Sequence, residues 1–194
     1  MIKNLLLDLG GVLYGVEYAR TALALGLSVE HLPQLLGDPM LAAYEKGKVS
    51  TDSFLAYWHT RFPHYSREEL INAWNAMLLG PLPASQGVLE ELSKRFSLAV
   101  LSNTNELHLN RVLPEIGGWK PYFVGMFFSP SLHYRKPEPA AYKSVLQALG
   151  WKPEETLFID DSSSNIEGAA TVGLATLLLS PSNSPEKLLS LLGQ

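Results

Sequence analysis

From residue 85 onward the sequence alternates apolar, strand-like runs with amphipathic helical stretches, and this alternation limits the fold more than any other feature. A helix over 85–95 precedes a strand over 98–101, which stops at Ser102-Asn103-Thr104-Asn105. A helix through Leu113, a strand over 122–128 and a helix up to Leu149 follow. The pattern repeats with a strand over 156–159, a helix over 165–172, a strand over 175–179 and a terminal helix over 185–192. Strands joined by helices of about 10–15 residues imply right-handed βαβ units, hence an α/β fold with a Rossmann-like, doubly wound parallel sheet. A further strand opens the chain, because residues 2–7 are apolar except for Lys3 and Asn4. Such a run reads as a strand buried on both faces.

That first strand closes on Asp8-Leu9-Gly10-Gly11. In open α/β sheets ligands bind at the carboxyl ends of the strands, so Asp8 stands where chemistry would be done. The two glycines let the backbone turn sharply and approach an ion closely. A bare turn cap is the competing reading of Asp8 alone.

Between the first strand and residue 83 the character is helical, with no strand pattern. Residues 16–25, 30–36 and 40–45 carry apolar positions at helical spacing, broken by Gly26, Gly37-Asp38-Pro39 and Gly47. Ser50 or Thr51 caps a run with Phe54, Leu55, Tyr57 and Trp58 on one face. Ser66-Arg67-Glu68-Glu69 has the form of a capping box ahead of Leu70, Ile71, Trp74 and Leu78. Gly80-Pro81-Leu82-Pro83 reads as a stiff linker. These residues are expected to form an all-helical insertion.

At 194 residues the chain can bury one sizeable core plus such an insertion. A net charge of −4 without a basic stripe excludes a nucleic-acid backbone binder. The absence of cysteine excludes disulfides and thiolate metal sites. No apolar run approaches the roughly 20 residues of a membrane span. With a core strand starting at residue 2 there is no signal peptide to read, so a cytoplasmic location is expected.

Four polar sets lie at strand ends or just beyond: Asp8; Ser102 and Asn103; Lys136 in the loop after the third strand; and Asp160-Asp161. Three carboxylates at one sheet edge cannot all stay ionised without a cation between them. Oxygen ligands without nearby His or Cys suit Mg²⁺, which shares a substrate phosphate. Helix capping is the alternative for Asp160-Asp161. Ser102 and the Asn103 backbone N–H, at the mouth of a helix, form either an anion site or an ordinary cap. Lys136 precedes Pro137, which restricts its backbone. It is either a solvated surface charge or the cation of a phosphate cradle.

These sets, in this order, resemble the four motifs of the haloacid dehalogenase superfamily of phosphohydrolases. Asp8-Leu9-Gly10-Gly11-Val12 resembles the nucleophile motif, Leu101-Ser102-Asn103-Thr104-Asn105 the second and Arg135-Lys136-Pro137 the third. Phe158-Ile159-Asp160-Asp161 through Asn165-Ile166-Glu167-Gly168-Ala169 resembles the fourth. The resemblance implies a core over 1–14 and 82–194 and a small helical cap over 15–81, hinged at 13–15 and 80–83. It points to the subgroup of sugar-phosphate phosphatases and the phosphatase domain of soluble epoxide hydrolases.

By the same resemblance Asp8 is a nucleophile forming an aspartyl-phosphate, which divides one hard displacement into two easier ones. Mg²⁺ would be held by the Asp8 carboxylate, the Gly10 carbonyl and Asp161, with Asp160 helping through water. Ser102, the Asn103 backbone and Lys136 would neutralise the phosphoryl oxygens. Asn165 would only position its neighbours. The family's usual general acid lies two residues after the nucleophile, and here that residue is Gly10. The expected activity is Mg²⁺-dependent hydrolysis of a small phosphorylated metabolite by a monomer or homodimer, with no nucleic-acid or membrane partner. A non-catalytic phosphate-binding protein and a metal-free dehalogenase are the rivals. If the first helix of the insertion is amphipathic, Tyr14, Glu17, Tyr18 and Arg20 face the site.

Overall fold

A computed structural model describes residues 1–179 and 185–193. Residues 180–184, between the expected strand over 175–179 and the expected helix over 185–192, lie outside the described residues. Five parallel strands form the central sheet: β1 Asn4–Leu7, β4 Ser97–Ser102, β5 Phe123–Phe128, β6 Thr156–Asp160 and β7 Ala175–Leu178. Two further strands, β2 Tyr14–Val16 and β3 Leu78–Pro81, pair with each other outside it. The sheet order is β5-β4-β1-β6-β7, so β1 is central, pairing in parallel with β4 and β6. From β1 the chain proceeds to β4 and β5 on one side, then crosses to β6 and β7 on the other. The strand order therefore reverses beside β1, the position at which such sheets open a crevice for ligands.

The apolar run of β1 serves both faces. Leu5 and Leu7 join Leu98, Val100 and Ile159 in a cluster with Val88, Leu89 and Leu92 of the helix Ser85–Ser93 and Leu188 of the helix Glu186–Leu192. Leu6 points the opposite way, with Ala99, Leu101 and Phe158, onto Tyr142, Val145 and Leu146 of the helix Pro139–Leu149. All three leucines are fully buried, each worth about 1.5–3 kcal/mol in transfer free energy. This double burial explains why the strand lacks polar alternation, and it fixes the height at which Asp8 leaves the sheet.

The residues between β2 and β3 form the helices Ala19–Ala24, Leu32–Leu36, Pro39–Glu45, Thr51–Arg61 and Arg67–Asn75. They surround a second cluster, joined from outside the insertion by Leu107 of the helix Glu106–Glu115, in which Tyr44 stacks on Phe54 at 4.2 Å and Phe54 and Trp58 meet Trp74 at 5.0 and 5.4 Å. Ser50 caps Thr51–Arg61 by accepting from Ser53 N–H. Ser66 and Glu69 close the expected capping box. Among the described residues no helix is long and apolar enough to cross a membrane.

Two expectations are corrected. The insertion is not wholly helical at its ends, because Tyr14 pairs with Pro81, Gly15 with Gly80 and Val16 with Leu78 in an antiparallel ribbon. The supposed linker is thus half strand, and the first helix begins at Ala19 rather than at residue 16. These short runs hold Gly15, Gly80 and Pro81, so no two-residue alternation marks them, and their partners are far apart in sequence. The glycines permit the close approach: a Cβ on Gly15 would stand 3.0 Å from that of Leu79, and Gly80 has φ +102°.

Candidate active site

Asp8 leaves the end of β1 with its N–H bonded to the Ile159 carbonyl at 2.9 Å. Its Oδ1 accepts from Leu9 N–H at 2.7 Å and contacts Lys136 Nζ at 2.7 Å. Both bonds fall on Oδ1, which leaves Oδ2 as the oxygen available to a ligand. The following turn brings Gly11 to φ +76°, and a Cβ there would stand 2.1 Å from Asp161 Oδ2. Only glycine lets the first loop lie against the Asp161 carboxylate. Gly10 has no such backbone requirement, and its missing Cβ would meet only a Val16 methyl at 3.2 Å.

Lys136 is the buried hub. Its Nζ reaches Asp160 Oδ2 at 2.6 Å as well as Asp8. Asp160 is fully buried, and its oxygens also accept from Ser162 N–H at 2.8 Å and from Asn165 Nδ2 at 3.0 and 3.1 Å. The loop that carries Lys136 is held by the Asn103 side chain, whose Nδ2 donates to the Lys136 carbonyl and whose Oδ1 accepts from Lys136 N–H, both at 2.8 Å. The Lys136–Pro137 peptide is cis. Against it lies the backbone of the helix Ser163–Ala170, where a Cβ on Gly168 would approach the Pro137 carbonyl oxygen to 2.4 Å. Ends of β1, β4 and β6 are thereby locked to one loop.

The electrostatics follow from burial. Burial chiefly, and then the Asp160 charge, push the Asp8 carboxyl up to about 7 against the pull of Lys136. Burial opposes the Lys136 charge, but Asp8 and Asp160 outweigh it and hold its pKa above the ordinary value. Asp161 is raised by burial and by Asp160. Carboxylate oxygens of Asp8, Asp160 and Asp161 lie within 4.8 Å of one another. One ammonium does not balance three carboxylates, and an all-oxygen set of this kind fits a hard divalent cation.

A cavity of about 250 Å³ opens above these groups, lined from the core by Asp8, Gly10, Ser102, Asn103, Lys136 and Asp161. Of the residues expected to hold the metal or the phosphate only Asp160 is absent from its wall, lying behind Lys136 with its oxygens engaged. Tyr14 and Tyr18 also line it. Tyr14, however, belongs to β2 and donates its hydroxyl to Glu115. Glu17 and Arg20 turn outward and pair with each other at 2.6 Å.

Sequence reasoning gave no role to three titratable lining residues, Glu45, His108 and Arg135, the last named only as a member of the third motif. Glu45 ends the helix Pro39–Glu45 of the insertion and faces Arg135 of the core at 3.1 Å. Burial pushes its carboxyl up, and Arg135 only partly offsets this. His108 accepts from Asn105 Nδ2 at 3.2 Å on Nδ1 and donates from Nε2 to the Trp74 carbonyl at 3.2 Å. Burial lowers its pKa to about 4, so it is neutral and committed at both nitrogens. Local pattern carried no signal for these residues, because each acquires its setting from a distant partner.

The model of the haloacid dehalogenase-like hydrolases matches residues 2–173. D-ribitol-5-phosphate phosphatase of Bacteroides thetaiotaomicron is 30% identical over 191 residues, covering 91% of each chain. A phosphoglycolate phosphatase of Aquifex aeolicus is 28% identical, covering 91% of this chain and 84% of its own. A haloacid dehalogenase family enzyme of B. thetaiotaomicron, solved with magnesium and inorganic phosphate, superposes with a TM-score of 0.84. It is 27% identical, and the match covers 97% of this chain and 99% of that one. A hydrolase of this fold from Porphyromonas gingivalis reaches 0.87 at 24% identity. With strand order, buried lysine hub and carboxylate triad pointing the same way as these matches, the chain belongs to the haloacid dehalogenase-like hydrolases.

Proposed function

We propose that this protein is a Mg²⁺-dependent phosphatase that hydrolyses a small phosphorylated metabolite, of the sugar- or polyol-phosphate class, through an aspartyl-phosphate on Asp8. The observation that carries the reading is the buried Lys136 clamped between Asp8 and Asp160 at 2.7 and 2.6 Å, directly under the cavity. A fixed, desolvated cation beside a carboxylate with one uncommitted oxygen is what phosphoryl transfer to that oxygen requires. Asp8 attacks phosphorus as the ester P–O bond breaks, and water then hydrolyses the acyl phosphate to return the carboxylate.

Asp8, the Gly10 carbonyl and Asp161 would hold the magnesium ion, and Asp160 would contribute charge from behind. When bound, the ion supplies neutralisation of the phosphoryl oxygens. Ser102, the Asn103 backbone and Lys136 orient those oxygens, and Asn165 keeps Asp160 aimed at Lys136. The insertion, residues 15–81, acts as a cap over the core of residues 1–14 and 82–194. The second apolar cluster, which its helices surround, and the wall it lends to the cavity support this division. The cavity volume suits a metabolite of a few carbons, and relatives named for ribitol phosphate and phosphoglycolate support the class.

The test is p-nitrophenyl phosphate turnover with Mg²⁺ and with excess chelator, in the natural protein and in Asp8→Asn. Turnover should vanish in the chelator and in the variant, whose circular dichroism and melting should remain those of a folded protein. Undiminished turnover in either arm would refute the reading. A screen over pentitol, aldose and short hydroxy-acid phosphates then names the substrate.

A further inference from the structure

Breaking the P–O bond of an alkyl phosphate leaves an alkoxide unless a proton arrives with it, and general acids that supply one are worth about 10²–10⁴ in rate. Gly10, two residues beyond Asp8 on the cavity wall, offers no side chain. The other groups on that wall can be taken one at a time. His108 is neutral, with Nε2–H bound to the Trp74 carbonyl and Nδ1 occupied by Asn105. Tyr14 donates its proton to Glu115. Asp8 is the attacking group, and Asp161 lies in the carboxylate cluster with it. Tyr18 stands at the cavity mouth, half-exposed, and burial and the charges of Asp8, Asp161 and Glu45 keep its phenol protonated far above neutrality. A donor so poorly matched to the working pH is inefficient.

Glu45 remains. It lines the same cavity as Asp8, from the helix Pro39–Glu45 of the insertion. Its Oε2 is buried without a hydrogen bond, and Arg135 Nε approaches it at 3.1 Å without the alignment a hydrogen bond needs. The charges of Glu45 and Asp8 both act on the Tyr18 phenol, so the two carboxyls belong to one electrostatic neighbourhood. We infer that Glu45 is the general acid–base of this enzyme, protonating the leaving oxygen and then taking a proton from the hydrolytic water.

The inference rests on the phosphatase reading above. In the first step the Asp8 carboxylate forms a bond to phosphorus, the ester P–O bond breaks and the Glu45 proton moves to the departing oxygen, which leaves as an alcohol. The Glu45 carboxylate so formed is steadied by Arg135. In the second step it accepts a proton from water as that water attacks phosphorus, releasing phosphate and restoring Asp8 and protonated Glu45. Before the first step burial favours the protonated form of Glu45 and Arg135 opposes it, with burial the larger effect. The remaining charges at this seam are Lys46 and Glu138, which pair with each other at 2.5 Å, and the Asp8–Lys136–Asp160 group below.

The test compares Glu45→Gln with the natural protein on matched alkyl and aryl phosphates in Mg²⁺. In kcat/KM, which reports phosphorylation of Asp8 and not the later hydrolysis, the variant should lose about 10²-fold or more on alkyl phosphates and less than about tenfold on p-nitrophenyl phosphate, whose leaving group needs no acid. A plot of log rate against leaving-group pKa should steepen accordingly. In the natural protein kcat/KM for alkyl phosphates should fall as pH rises through the raised Glu45 pKa, while that for aryl phosphates should not. Equal losses in kcat/KM on both classes would overturn the role of Glu45 as acid and leave the phosphatase reading standing. Failure of the natural protein to turn over p-nitrophenyl phosphate would overturn both. Should the Gln variant not fold, the natural protein's pH profiles decide, and identical alkyl and aryl profiles reject the inference.

Discussion

Two ion-pair groups border the same cavity and are built in opposite ways. In the Asp8–Lys136–Asp160 group the ammonium is 1% exposed, and it bonds both carboxylates within 2.7 Å. Asn103, Ser162 and Asn165 fix its surroundings. In the Glu45–Arg135 pair the side chains are 14% and 30% exposed, and they meet without an aligned hydrogen bond. The first group joins elements of one sheet, and the second joins the sheet side to the helical insertion. A fully satisfied buried network holds one geometry. A loosely paired carboxyl at a seam keeps the freedom to change protonation state.

The largest effect should come from Lys136→Met. Removing one partner of a buried pair costs about 3–5 kcal/mol, because it leaves uncompensated charge in the interior. Urea denaturation at pH 7.5 measures this loss, and the loss should shrink toward pH 5 as the stranded carboxyls protonate. A loss below about 1 kcal/mol at pH 7.5 would mean that water already reaches the hub and that the contrast is overstated.

His108 gives an intermediate effect along the same seam, since it links the helix Glu106–Glu115 to Trp74 of the insertion. Its folded pKa of about 4 lies below the ordinary 6.5. The unfolded chain therefore binds the extra proton first. The stabilisation from keeping this imidazole neutral is full above pH 6.5 and is lost as pH falls toward 4, by up to about 3 kcal/mol. His108→Gln should flatten that acid slope in a plot of Tm against pH. An unchanged slope would place the acid sensitivity elsewhere.

Arg135→Gln should have the smallest effect on stability, less than about 1 kcal/mol, because partly exposed pairs contribute little. Its sharper signature is in activity. Arg135 lowers the Glu45 pKa, so removing it should move the alkaline limb of alkyl phosphate turnover to higher pH. A limb that stays in place would separate Arg135 from the titrating group.

The contrast also explains what could be read in the sequence. Asp8, Ser102, Asp160 and Asp161 end or follow runs such as Leu5-Leu6-Leu7 and Phe158-Ile159, whose burial on both faces makes them plain as strands, whereas Lys136 lies in a loop beyond β5 and had no such mark. Strand ends in a parallel sheet converge by geometry, so locating the strands located the polar groups. The side chain of Asn103 was legible only as a neighbour, because its grip on Lys136 spans 33 residues. Glu45 and His108 carry no local mark. Each is an ordinary helical residue until the insertion folds over the core and removes water from it. The β2–β3 ribbon escaped for a related reason, since Tyr14-Gly15-Val16 and Leu78-Leu79-Gly80 carry no alternation and owe their extension to each other.

That ribbon has a consequence for chain entropy. Because Val16 pairs with Leu78, everything between them is a loop whose ends are already joined. For a closed loop the entropic penalty grows only with the logarithm of its length, by about 0.6 kcal/mol for each doubling. Helices could be lengthened, shortened or exchanged within it while the register of β1, β4 and β6 stayed untouched. The segment so closed is thus free to drift in length and content, while Asp8 follows a strand that cannot shift by one residue without turning a buried leucine to the wrong face.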